Sequence, residues 1–139
     1  MAKNMGEDWV PLLDRPIEEQ YEYHRSAYAI RKAKDPKKEW AKSAWKNSQL
    51  RAKKKGRSHN IHWKPDILPI CVDICPVFGF PLNYSNNKLA FDSPTLDRVD
   101  NSRGYEPDNI AVISRRANSM KGDGTAEDVK MLLEWMLTK

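Results

Sequence analysis

The amino-acid sequence describes an α+β protein in which a basic helical arm precedes a small domain built on two short strands and a helix. Three features point to it. Helix-start residues and helical spacing fill the first third, Gly and Pro punctuate the middle, and the last third runs strand, loop, strand, helix. The 139 residues suit one domain with an extension, and with 31% charged residues the room is for a modest core. The expected division is a lead at 1–15, a basic helical arm at 16–57, and a domain at 58–139.

Met1 to Arg15 carries Pro11 and mixed charge with little periodicity, which predicts an extended or disordered lead. Pro16 suits a first helical turn, with Glu18 and Glu19 close behind it, so a helix is expected to Lys34. Ile17, Tyr21, His24 and Tyr28 recur along one face of that helix and predict a packing stripe, with His24 a semi-buried histidine on it. Asp35-Pro36 reads as an N-cap followed by proline at the first helical position, and Gly56 stops the segment that follows. Two helices and one bent helix both satisfy this pattern. Trp40 and Trp45 belong to the narrow apolar face and are expected in the core.

Ser58 to Trp63 alternates as a short strand, which Lys64-Pro65-Asp66 breaks, and His59 and His62 would share a face of it. Ser93 to Val99 reads as a short edge strand, with Pro94 at its opening and Asp97 and Arg98 near its end. Asn101 to Asp108 contains Gly104 and Pro107 and is a loop. Asn109 to Ile113 is a second apolar run leading into a helix over Ser114 to Lys121. Thr125 with Asp128 three residues on makes a variant capping box for a last helix, whose core stripe would be Val129, Leu132, Leu133, Met136 and Leu137.

Charge is distributed unevenly. Arg31 to Lys64 holds thirteen Lys and Arg against Asp35 and Glu39, while Ile67 to Lys139 has eight basic and ten acidic residues. Such asymmetry is the footprint of a polyanion binder, most simply of DNA, and Lys53, Lys54, Lys55 and Arg57 at the end of the arm would contact its backbone. No apolar run approaches a membrane span, and the first ten residues lack the order of a signal peptide, so the expected location is cytoplasmic with no membrane partner. Two cysteines, Cys71 and Cys75, are too few for a disulfide framework and suit free thiols.

The stretch SPTLDRVDNSRGYEPDNIAVISRRANSMK, Ser93 to Lys121, resembles the HNH endonucleases, a ββα-metal group, and especially their small zinc-free phage members. In that family the first strand ends in Asp-His, an Asn opens the second strand, and a helical His or Asn follows. Asp97-Arg98, Asn109 and Asn118 fill those places. The turn Cys75-Pro76-Val77-Phe78-Gly79 also resembles a turn of the zinc-free phage proteins, and the resemblance spans Lys53 to Leu137. Zinc-bearing relatives place a second pair of thiolates before the helical Asn, where this chain has Ser114 to Ala117. No structural zinc is therefore expected, and Phe78, Leu82 and Ala117 would close that space.

The resemblance implies a metal-dependent DNA endonuclease in which Asp97 and Asn118 hold one Mg²⁺ or Mn²⁺ ion and Asn109 pins the loop. Position 98 would be the general base, a role Arg98 cannot take, because guanidinium keeps its proton at neutral pH. Arg98 could hold phosphate instead, leaving proton removal to water or to His62 or His59. Arg103, Arg115, Arg116 and Lys121 would contact DNA near the cut. Two other readings stay open: an ordinary hairpin in which Asp97 pairs with Arg98, Arg103 or Arg116, and an HNH fold without its base that binds DNA or inhibits. A phage-encoded protein would work in the host-cell cytoplasm.

Overall fold

Local signals set the helix ends in the computed structural model, which describes residues 11–86 and 88–139. A short 3-10 turn at Leu12–Asp14 precedes α1 (Ile17–Lys34) and α2 (Pro36–Lys55). The two helices are separate: Asp35 leaves helical geometry at φ −145° and ψ 78°, and its carboxylate accepts the Lys38 N–H at 3.2 Å. Gly56, in the left-handed region at φ 65°, closes α2. The irregular stretch that follows contains a wide turn at Trp63–Ile67 and a 3-10 turn at Leu68–Ile70. Then come β1 (Pro94–Arg98), β2 (Ile110–Ser114), α3 (Arg115–Lys121) and α4 (Ala126–Leu137). β1 and β2 form one antiparallel pair in which Asp97 faces Ala111 and Arg98 faces Ile110. The α+β fold expected of the chain is present.

The core gathers Ala41, Ala44 and Ala52 of α2 with Ile61, Ile67 and Leu82, and with Leu96, Ile110, Val112 and Ile113 of the strands. Trp40, Trp45 and Trp63 pack against it, and the Trp45 indole N–H donates to the Ile61 carbonyl at 2.8 Å. Residues before and after position 57 thus belong to one core. α2 is one wall of the domain, because its alanines and Ser48 let the strands and the Ile61 segment approach closely.

Several expectations are corrected. Ile17, Tyr21, His24 and Tyr28 are exposed, and α1 buries no residue. Tyr28 and Lys32 border a small cavity with Trp40, Tyr84 and Pro94, but no residue of the stripe is buried there. Ser58 to Trp63 is not a strand. Its backbone instead joins the loop before β2: Tyr105 N–H donates to Ser58 O, and Asn60 N–H donates to Tyr105 O. The α4 stripe of Val129, Leu132, Leu133, Met136 and Leu137 stays at least 45% exposed and forms no core, although the Thr125 and Asp128 capping box is present. At the Cys75 turn Leu82 and Ala117 are buried but Phe78 is exposed, stacked on Phe80. The Cys75 thiol donates to the Ser114 hydroxyl oxygen at 3.1 Å, and Gly79 turns the chain at φ 79°.

Candidate active-site cleft

β1 ends at a loop that three side chains hold in shape. Asn109, 1% exposed, accepts the Asp100 N–H at 2.8 Å through Oδ1, while its Nδ2 donates to the carbonyls of Asp100 at 3.1 Å and Gly104 at 2.9 Å. Arg98 donates from Nη1 to the carbonyls of Asn101 at 2.7 Å and Arg103 at 2.8 Å, with its guanidinium 5.7 Å from the Tyr105 ring centre. Tyr105 is buried, and its hydroxyl accepts from Arg51 Nε at 3.1 Å. The loop is thereby tied to α2. Gly104 is required where the loop passes Ser58, since a Cβ there would overlap the Ser58 hydroxyl and carbonyl oxygens.

Asp97 is buried at the end of β1, and its partner is none of the arginines but Lys121, the last residue of α3. Lys121 Nζ lies 3.0 Å from each Asp97 carboxylate oxygen, 2.6 Å from the Arg98 carbonyl and 3.4 Å from Asn101 Oδ1. Four oxygens thus converge on one cation. Burying a carboxylate is costly unless a charge and hydrogen bonds compensate it, and Lys121 supplies both. Asn118, one helical turn before Lys121, lines the same cleft as Asp97 and Arg98.

That cleft encloses about 780 Å³ and is walled on its far side by Asn47, Arg51, Lys54, Lys55 and Arg57. Three of the four basic residues singled out at the end of α2 are thus on the cleft, and Lys53 is not. Arg103 lies on the loop surface and pairs with Asp108 at 2.8 Å, a contact that holds the Asp108 carboxyl below its usual range. Arg115 and Arg116 are exposed at the start of α3. Their backbone N–H groups are already bound to the carbonyls of Ser93 and Phe91, and the Ala117 N–H to the Ser114 hydroxyl. Only their side chains remain for a ligand, and the Arg116 guanidinium lies over Phe78.

The two candidate histidines do not line the cleft. His59 Nε2 is 2.7 Å from Ser48 Oγ, a hydroxyl that also lies 2.7 Å from the Trp45 carbonyl. Burial lowers the His59 pKa, with Glu106 pulling the other way. His62 packs at a tilt against Trp45 and accepts the Lys64 N–H. Sequence reasoning missed Asn101, Tyr105 and the pairing of Lys121. A signal for the last was present, in a buried strand-end carboxylate facing a short helix that ends in lysine.

No group of three or more His, Cys, Asp or Glu side chains able to hold a metal stands together among the described residues. The donors around Lys121 are nevertheless all oxygens, the set a hard divalent ion prefers, and the ammonium is a stand-in cation at their centre. These oxygens would suit such an ion only with the Lys121 ammonium displaced from among them.

No family model matches the chain, and no curated protein matches it. Among solved structures it is similar to the rare-cutting HNH restriction endonuclease PacI, with a TM-score of 0.50 and 18% identity, over 69% of this chain and 75% of that one. At this identity the likeness is one of fold alone, an α+β arrangement of helices around a two-stranded sheet shared with that endonuclease. No helix among the described residues is long and apolar enough to cross a membrane.

Proposed function

We propose that the chain is an HNH-like endonuclease that cuts or nicks DNA with Mg²⁺ or Mn²⁺. One observation carries this reading: Asp97, Arg98 and Asn118 share a single cleft with Lys54, Lys55 and Arg57. A polyanion drawn to the basic wall is thereby held against the one buried carboxylate of β1. In this reading Asp97 and Asn118 would hold the ion, which when bound supplies positive charge to the phosphate at the reacting bond. Arg98 uses Nη1 to hold the loop and offers its other N–H groups to a phosphate oxygen. Asn109 keeps the loop that carries Arg98 and Asn101 in place. With no imidazole lining the cleft, proton removal falls to water rather than to His59 or His62. The phage-type resemblance would place this work in a host cytoplasm.

The second reading is an HNH fold that binds DNA or inhibits without cutting. The Lys121 ammonium on Asp97 favours it, as does a cleft without a side-chain base. Plasmid cleavage with Mg²⁺ or Mn²⁺, with EDTA, and with Asp97→Ala separates the two. Cleavage that needs the ion and Asp97 is expected. Cleavage that survives EDTA refutes the metal assignment, and DNA binding without cleavage under any divalent ion leaves only the second reading.

A further inference from the structure

A lysine that donates to four oxygens at the end of a strand is more than a neutralised carboxylate. Asp97 alone could have been satisfied by one ion pair, yet Nζ also takes the Arg98 carbonyl at its shortest contact, 2.6 Å, and reaches Asn101 Oδ1 at 3.4 Å. These oxygens come from the end of β1 and from the loop that Asn109 and Arg98 itself hold in shape, so the cage is built by the hairpin and not by the flexible lysine. Lys121 ends α3, just before Gly122 at φ 52° and Gly124, and its side chain is 24% exposed against 9% for Asp97. The carboxylate is fixed, while the ammonium sits at the mouth on a four-carbon stem that can swing out.

We propose that Lys121 is the built-in occupant of the divalent-cation site assigned above to Asp97 and Asn118, to which the Arg98 carbonyl and the Asn101 side-chain oxygen would add donors. The ammonium keeps the buried carboxylate satisfied in the DNA-free protein and suppresses ion binding, since a divalent ion and an ammonium cannot share one carboxylate. A DNA phosphate arriving along the basic wall is the alternative partner that draws Lys121 off. The proposal rests on the nuclease reading for its purpose, but ion binding tests it separately.

Free Mn²⁺ is followed by electron paramagnetic resonance as it is titrated into the full-length protein, with no DNA present. Lys121→Met should bind Mn²⁺ about tenfold or more tightly than wild type. Lys121→Gln, which keeps a donor for Asp97 and so a route to folding, should tighten binding in the same direction. Asp97→Asn added to either variant should abolish the gain. In the wild type itself, saturating Mn²⁺ should raise the acylation rate of Lys121 relative to the exposed Lys130, read by peptide mass. Unchanged Mn²⁺ affinity in a folded Lys121 variant, or Lys121 acylation indifferent to Mn²⁺, overturns the proposal. Metal-dependent plasmid cleavage alongside unchanged affinity would leave the nuclease reading standing and remove the lysine's role. Tightened binding with no cleavage by any form would do the reverse.

Discussion

Replacing Asn109 by alanine removes three hydrogen bonds from a side chain that is 1% exposed. Each is worth about 1 kcal/mol net, which sums to about 3 kcal/mol. Asp100 is exposed, and water replaces part of what its N–H and C=O lose, which brings the expected loss to about 2 kcal/mol and the melting temperature down by roughly 5–10 °C. Urea unfolding followed by tryptophan fluorescence measures it. Asn109→Asp is the informative companion, because it keeps the acceptor for Asp100 N–H but turns an oxygen toward two carbonyls. It should be at least as destabilised as the alanine variant. A loss under about 0.5 kcal/mol for Asn109→Ala, or an aspartate variant more stable than it, refutes the idea that this side chain sets the loop.

Three further outcomes follow from the same geometry. Lys54→Ala and Arg57→Ala should each lower the slope of log affinity against log salt for duplex DNA by about 1, while Lys53→Ala, off the cleft, should not. Gly104→Ala should cost about 2–3 kcal/mol in denaturant unfolding, because its Cβ meets Ser58 backbone as well as side chain and one of the two segments must move. Burial holds the His59 pKa below its ordinary value of 6.5, so the unfolded chain binds more protons between the folded value and 6.5. Stability should therefore fall as pH drops through that window and level off below it. His59→Gln should flatten this part of the profile.

Much of the fold was legible because its stops are local. Asp35-Pro36, Gly56, Ser114 and Thr125 bound their helices through one or two side chains each, and the two apolar runs flanking Asn101 to Asp108 sit close enough to pair. What escaped was set by distant surfaces. The stripes on α1 and α4 are as periodic as any core face, yet none of their residues is buried, and periodicity does not report whether a partner surface closes over it. Ser58 to Trp63 alternates like a strand but meets only the Tyr105 segment, which offers it one isolated bridge. At the candidate site, the family resemblance marked Asp97, Arg98, Asn109 and Asn118 as a group. It could not say that Lys121, expected on DNA, folds back onto Asp97, or that Arg98 is engaged by carbonyls, because both depend on how far α3 and the loop return toward the strand end.

The junction at Asp35 has a consequence for how the molecule comes apart. α1 buries nothing and meets α2 through one residue outside helical geometry, whereas α2 carries Ala41, Ala44, Ser48 and Ala52 inside the core. The two helices thus belong to different cooperative units: amides of α1 exchange through local openings of low free energy, and those of α2 only when the globule opens. A protease working on the native chain reads the same hierarchy as a clock. It should cut quickly among Arg25 to Lys34 and then stall at Asp35, leaving a fragment that still begins with its own helix cap and still carries both walls of the cleft.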